Sequence, residues 1–364
     1  MESIVYQYWL MSNTIIPYNK KYKLAEYFTD AYHVYHANRQ ELLASRLLNA
    51  GVVEDLLEQR KRQDIYEEYV AFSRGPYSFV TVEDEAYPQG LRTIFDPPYG
   101  LYYTGRLPDF GKAVSIVGAR RCSEYGRSMA ERLGEEFAAR GYTVVSGMAR
   151  GIDSHSHWGA LHGQGLTAAV LGSGLDVIYP RENRRLYTEI SEHGAVISEF
   201  PMGMQPLPEN FPIRNRIVAG LSDILIVVEA RLRSGSLITA DLALEQGKDI
   251  YVVPGRVGDS LSEGCNKLVT QGAGLIYSID QFFRDLEELG DSGAVEVRPA
   301  ENISIRLSAD ELIVYSLLDL YPKSLAEVQL KCQMDYLKLI SVVISLVNRG
   351  LIREVFKNNY VIVA

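Results

Sequence analysis

The sequence predicts an α/β fold, a parallel sheet covered by helices on both faces, with a small helical domain before it and a winged helix after it. Three observations predict this. Short apolar runs recur roughly every 25 to 30 residues through the middle of the chain, the length of one strand-helix-strand crossover. Residues 1 to 85 instead carry apolar residues at helical spacing. Residues 304 to 364 read as three helices followed by a hairpin.

In the first segment the helical signal comes from Leu42, Leu43, Leu47 and Leu48, and again from Leu56 and Leu57, in a Tyr-rich background. Asp96-Pro97-Pro98-Tyr99-Gly100 then punctuates the chain, and Leu101 to Gly105 reads as a short strand. Core strands are expected at Ala113 to Val117, Thr143 to Val145, Thr167 to Leu171, Ala195 to Ser198, Ile224 to Val228 and Ile250 to Val253. Such unbroken apolar runs suit a sheet buried on both faces. Between the first two strands, Ser123 caps a helix whose Met129, Leu133 and Phe137 share a face, and Gly141 ends it. The core is expected over 86 to 285, and an acidic linker over 286 to 303, in a stretch marked by Asp285, Glu287, Glu288, Asp291, Glu296 and Glu301. Beyond it, Ser308 to Leu320, Ser324 to Lys331 and Asp335 to Arg349 read as helices, and Leu351 to Val363 as a hairpin turning at Lys357-Asn358-Asn359. In a winged helix the third helix reads duplex DNA, but this one offers only Lys338 and Arg349, so protein docking or a structural role ranks first.

With 47% hydrophobic and 23% charged residues, the chain can bury a sizeable core. Neither a signal peptide nor a membrane-spanning run is evident, so a cytoplasmic location is expected. Cys122, Cys265 and Cys332 form no CxxC pair, which argues against a disulfide framework or a zinc site. A net charge of -9 speaks against nucleic acid as a partner, yet Ala113 to Ser278 holds fourteen Arg against only Lys248 and Lys267. That skew suits bidentate phosphate recognition, and it also suits ordinary surface ion pairs.

Ligands of an open parallel sheet bind beyond the carboxyl ends of its strands, so the segments that follow the strands are the informative text. Gly118-Ala119-Arg120-Arg121-Cys122-Ser123 follows the first strand, Ser146-Gly147 with Ala149-Arg150-Gly151 the second, and Gly172-Ser173-Gly174 the third. Each brings glycines to the start of a helix, where backbone N–H groups meet an anion. The fourth strand leads through Glu199-Phe200 to Phe211-Pro212-Ile213-Arg214-Asn215-Arg216. Arginines there are placed to grip phosphates while Phe200 or Phe211 stacks on a base, or both rings pack the core, a reading stronger for Phe211. Ser234-Gly235-Ser236 after the fifth strand either binds a phosphate or caps a helix. Arg231 and Arg233 beside it fit either a ligand edge or solvated surface.

Competing chemistries lack their machinery. Only Gly118 and Gly126 stand where a dinucleotide fingerprint needs three glycines, and neither Gly111-Lys112 nor Gly247-Lys248 completes a P-loop. His155, His157 and His162 do not match a zinc spacing, and Asp153 at a helix start reads as a dipole partner. No cofactor, metal or catalytic residue is expected.

The chain resembles the DprA/Smf family. The likeness rests on Val117-Gly118-Ala119-Arg120 with Ser123 and Tyr125-Gly126, on Ser146-Gly147 with Ala149 to Asp153 and His157, and on Leu171-Gly172 with Gly174, Asp176 and Tyr179-Pro180. It continues through Ser198-Glu199, Pro201, Gly203, Phe211-Pro212, Arg214-Asn215-Arg216, Glu229-Ala230, Ser234-Gly235-Ser236, Thr239-Ala240, Pro254-Gly255, Gly264 and Asn266. This resemblance implies an extended Rossmann-like domain without catalytic activity that binds single-stranded DNA, dimerises, and helps load RecA during natural transformation. It implies a helical N-terminal domain of the sterile-alpha-motif type and a C-terminal winged helix as variable companions. Dimerisation would use the sheet end near Leu268, Val269, Leu275 and Ile276. The alternative from another class is a phosphoribohydrolase-type nucleotide enzyme using Glu199 and Glu229, against which the absent PGGxGT motif counts. A transcription regulator acting through the winged helix is the third.

Overall fold

The computed structural model describes residues 2–290, 307–318, 323–332, 334–356 and 358–362. These form two compact units, Met1–Glu287 and Glu288–Ala364. Most of the expected acidic linker, residues 291–303, and Lys357 of the expected hairpin turn lie outside the described residues.

The first unit begins with helices α1 (Glu2–Ser12), α2 (Tyr18–Phe28), α3 (Ala31–His36), α4 (Arg39–Ala44), α5 (Ala50–Arg62) and α6 (Ile65–Ser73). Local chemistry sets their starts. The side chains of Asp30, Asn38, Asn49 and Asp64 accept hydrogen bonds from N–H groups of the first turns of α3 to α6, groups a helix leaves unpaired. Trp9, Leu10, Leu24, Val34, Leu42 and Leu56 are buried in a core shared with Tyr102, Leu171 and Leu175 of the sheet region. Burial of this apolar surface against the sheet drives the docking of the helical segment.

A nine-stranded sheet follows, in the order β1-β2-β6-β5-β4-β3-β7-β8-β9. Its strands are β1 (Ser78–Thr81), β2 (Gly100–Gly105), β3 (Ala113–Val117), β4 (Thr143–Ser146), β5 (Thr167–Val170), β6 (Gly194–Ser198), β7 (Ile224–Val227), β8 (Asp249–Val252) and β9 (Gly274–Leu275). All pairings from β6 to β9 are parallel, and β2 and β1 extend the β6 edge as an antiparallel ribbon. The six expected core strands are all present. Ser78–Thr81 corrects the helical reading of residues 1 to 85, since it pairs with β2, and the short β9 was not anticipated.

Short α7 (Gln89–Arg92) leads into β2, and α8 (Glu124–Ala139), α9 (Ile152–His162), α10 (Arg184–His193), α11 (Asn210–Gly220), α12 (Gly235–Glu245), α13 (Glu263–Thr270) and α14 (Ile279–Gly290) alternate with the later strands. Side chains of β3 alternate between two cores. Val114 and Ile116 meet Leu133 and Phe137 of α8 and Phe282 and Phe283 of α14, whereas Ala113 and Val117 meet Ile217 of α11 and Ala240 of α12. Both faces are therefore covered, which explains the unbroken apolar strands. The chain runs outward from β3 through β4 and β5 to β6, then returns through α11 to set β7 on the other side of β3. Between the carboxyl ends of β3 and β7 lies the switch point of the sheet.

The second unit runs α15 (Ala309–Leu317), β10 (Lys323–Ser324), α16 (Leu325–Cys332), α17 (Tyr336–Asn348), β11 (Ile352–Phe356) and β12 (Asn359–Ile362), with sheet order β10-β12-β11. Val314, Val328, Leu339, Leu346 and Ile352 form its core. Among the described residues no helix is long and apolar enough to cross a membrane.

Candidate functional site

A cavity of about 730 Å³ opens beyond the carboxyl ends of β3 and β7. Gly118, Arg120 and Arg121 reach it from the loop after β3, Gly147 from the loop after β4, Phe211, Arg214 and Asn215 from α11, and Arg231, Ser234 and Gly235 from the loop after β7. A smaller recess adjoins it, sharing Arg120, Gly147, Tyr179 and Phe211 and adding Arg150, Gly172 and Ser173. Of the fifteen expected site residues, the structure brings twelve to these two walls. Ser123, Phe200 and Arg216 lie elsewhere.

Arg120 and Arg121 are exposed and have no ion-pair partner among the described residues, and the same holds for Arg231. The Arg120 guanidinium stands 5.1 Å from the centre of the Phe211 ring, a cation–π arrangement that orients both groups. Tyr179 is 41% exposed and lies 5.8 Å from Phe211, so two aromatic rings face this edge. Arg150, in contrast, makes a forked pair with Glu182, with one arm at 3.0 Å. Both partners are exposed, so the pair is weak and open to exchange for another anion.

Arg214 forms the floor. Its Nη1 donates to the carbonyl of Gly147 at 2.8 Å and to that of Val170, and its Nε to Asn215 Oδ1 at 3.2 Å. Burial pushes its pKa down to about 10, opposed by the charge of Asp153, so the guanidinium stays charged at neutral pH. A Cβ at position 147 would fall 2.4 Å from Nη1, so any side chain there would push the guanidinium out of this place. Asp153 accepts from the backbone N–H groups of Gly147 and Ala149 at 3.2 and 3.4 Å. Burial raises its pKa, offset by Arg214 and those N–H groups.

The helix starts around the crevice differ. Ser123 caps α8 by accepting from the Gly126 N–H at 3.0 Å, and its own N–H donates to Glu229 at 2.9 Å. At α12 the Ser234 hydroxyl does not cap the helix; it exchanges a hydrogen bond with Ser236 at 2.7 Å. Space around Gly235 is open. The Leu237 N–H donates to the Ser234 carbonyl at 3.2 Å, while the N–H groups of Gly235 and Ser236 and the positive end of the helix dipole can face an anion.

Three expectations are corrected. Ser123 lies off both walls, its hydroxyl and N–H engaged with Gly126 and Glu229. Arg216 is buried away from the cavity, with Glu199 at 2.8 Å and Asp96 at 3.5 Å, so its charge is already matched. Arg214 and Arg216 are two residues apart on one helix, about 200° around its axis, so only one can face the cavity. Phe200 is 6% exposed and lines neither cavity, whereas Phe211, the ring with the stronger packing reading, lines both. Of the two open readings of Arg231, a ligand edge or solvated surface, the structure places it on the cavity wall; Tyr179, part of the family likeness, also lies there, far along the loop after β5, where no local pattern marks it as a site residue. His157 packs in the core: burial lowers its pKa to about 3, and Nδ1 lies 2.6 Å from Thr167 Oγ1. The clustered histidines are not gathered into a metal-binding group among the described residues.

Comparison with known proteins matches residues 78–287 to the family model of DNA recombination-mediator protein A. The DNA processing protein DprA of Streptococcus pneumoniae is 43% identical over 209 residues, 57% of this chain and 73% of the relative. A solved structure of DprA from Streptococcus pneumoniae superposes with a TM-score of 0.67 at 34% identity, covering 77% of this chain and 97% of that one. DNA processing protein A from Helicobacter pylori, solved to describe its single-stranded DNA binding mode, superposes with a TM-score of 0.53 at 33% identity, covering 58% and 96%.

Proposed function

Because this chain belongs to the DNA recombination-mediator protein A family, we propose that the cavity edge binds single-stranded DNA. We further propose that the protein works as a cytoplasmic homodimer that protects incoming strands and helps load RecA during natural transformation. One observation carries the reading. Arg120, Arg121 and Arg231, without ion-pair partners among the described residues, the open start of α12 and the rings of Phe211 and Tyr179 all converge on one edge. Guanidinium groups and helix N–H groups hold phosphates, while exposed rings stack on bases that only a single strand leaves free. A local excess of cations reconciles this with the acidic chain: the cavity wall carries Arg120, Arg121, Arg214 and Arg231 against Asp153.

Residues 86 to 285 serve in this reading as the DNA-binding core, with the helical segment and the C-terminal unit as companions. The α15-β10-α16-α17-β11-β12 order supports reading this unit as a winged helix. On α17 Lys338 is paired with Asp310 at 2.8 Å, which favours a docking role for this unit over duplex reading. Phosphoribohydrolase chemistry finds little support, since Glu199 is paired with Arg216 and Glu229 with Ser123, away from the cavity wall.

Gel shifts of the full chain with matched single- and double-stranded oligonucleotides at several salt concentrations test the proposal. The single strand should bind more tightly, and its affinity should fall with salt. Preference for the duplex, lost on deleting residues 304 to 364, would favour a transcription regulator. Hydrolysis of a nucleoside monophosphate that stops in Glu229→Ala would favour the enzyme.

A further inference from the structure

At the switch point of an open α/β sheet, the helix following the first strand usually receives a nucleotide phosphate. That helix here is α8, and the place is taken. Glu229, just beyond β7, sends its carboxylate across to the β3 side, where Oε2 accepts from the Ser123 backbone N–H at 2.9 Å and Oε1 accepts from the Ser123 hydroxyl at 2.5 Å. The carboxylate rests against the first turn of α8, and a Cβ at Gly126 would fall 2.4 Å from it. Gly126 thus supplies the close backbone approach a phosphate would need, but to an internal anion.

Glu229 is 4% exposed and has no cationic side chain paired with it among the described residues. A buried carboxylate without a cation persists only where donors replace its lost water. Ser123 and the positive end of α8 provide that replacement, and the same groups would otherwise solvate a phosphate.

We propose that Glu229 determines what this crevice accepts: its carboxylate fills the phosphate position at the start of α8 and keeps nucleoside phosphates out. A phosphomonoester entering there meets a like charge and donors already engaged. An anion is left the start of α12 and the arginine edge, where a phosphodiester backbone can lie along the surface. This holds whether or not the protein binds single-stranded DNA, because it concerns the ligand excluded.

Inorganic phosphate tests the inference, with sodium chloride at equal ionic strength as the control. In Glu229→Ala the vacated place should bind phosphate saturably, raising Tm by roughly 5 °C at about a hundredfold excess over Kd. Adding Gly126→Ala, whose methyl group occupies the same space, should abolish that gain. A folded Glu229→Ala that gains nothing over wild type overturns the proposal. Should Glu229→Ala fail to fold, phosphorus NMR titration of the wild type decides. No saturable binding, or binding lost in Arg120→Ala, supports the proposal; saturable binding that Arg120→Ala leaves intact overturns it. Oligo-dT affinity, measured separately, reports on the DNA reading alone.

Discussion

Two regions of the first unit use arginine in opposite ways. At the contact between α11 and the helical segment, Arg216 is enclosed with Glu199 and Asp96, and its guanidinium lies 5.6 Å from the Tyr18 ring. At the cavity edge, Arg120, Arg121 and Arg231 have no such partners among the described residues. In the first region the chain supplies the counter-anions and the cation holds the fold together. In the second the counter-anion is left to a ligand. Identity as arginine therefore says little; the surroundings decide whether the charge is structural or available.

Breaking the first region should give the largest effect. Arg216→Ala leaves the nearly buried Glu199 and the partly buried Asp96 without their cation, a loss of about 3–5 kcal/mol in typical buried pairs. Urea unfolding measures it, and the folded fraction should keep most of its oligo-dT affinity. Loss of DNA binding at unchanged stability would erase the distinction between the two regions.

At the second region Phe211→Ala removes the ring shared by both cavities. Stacking of one base on an aromatic side chain is worth about 1–3 kcal/mol, so oligo-dT affinity should fall by roughly 5- to 150-fold. Phe200→Leu should cost stability instead, because Phe200 is buried away from the cavities. Equal loss of affinity in both variants would show that the rings act through the core.

A smaller effect concerns Lys21, buried beside the first region, where its ammonium donates to the Met11 carbonyl. Burial pushes its pKa down to about 8 from 10.5. Between those values the unfolded chain binds the proton more fully than the folded one, so this group makes stability rise with pH, by at most about 1.4 kcal/mol per pH unit. Thermal unfolding of wild type and Lys21→Met across that window should differ in slope with that sign. Identical slopes would mean that Lys21 is not desolvated.

The parallel core was legible because its strands are buried on both faces and read as unbroken apolar runs. The edge strands were harder: β9 has two residues, and Ser78–Thr81 follows a helical stretch with little punctuation. The loops of the site were also legible, since they follow strand ends. Side-chain direction was less so. The phase of α11 separates Arg214 from Arg216, a distinction helical spacing contained, but Phe200 and Phe211 are told apart only by how the crossover packs against β6. The role of Glu229 depends on the approach of two strand ends from distant parts of the chain, and no local pattern announces it.

The most direct test of the account is the salt dependence of oligo-dT binding in the double variant Arg120→Ala, Arg121→Ala. Each phosphate contact on a single strand contributes about 0.7 to the slope of log K against log salt. The account predicts a weaker affinity and a slope smaller in magnitude by about 1.4, with Tm unchanged within about 1 °C because both side chains are exposed. Wild-type affinity with an unaltered slope would place the DNA elsewhere and contradict it.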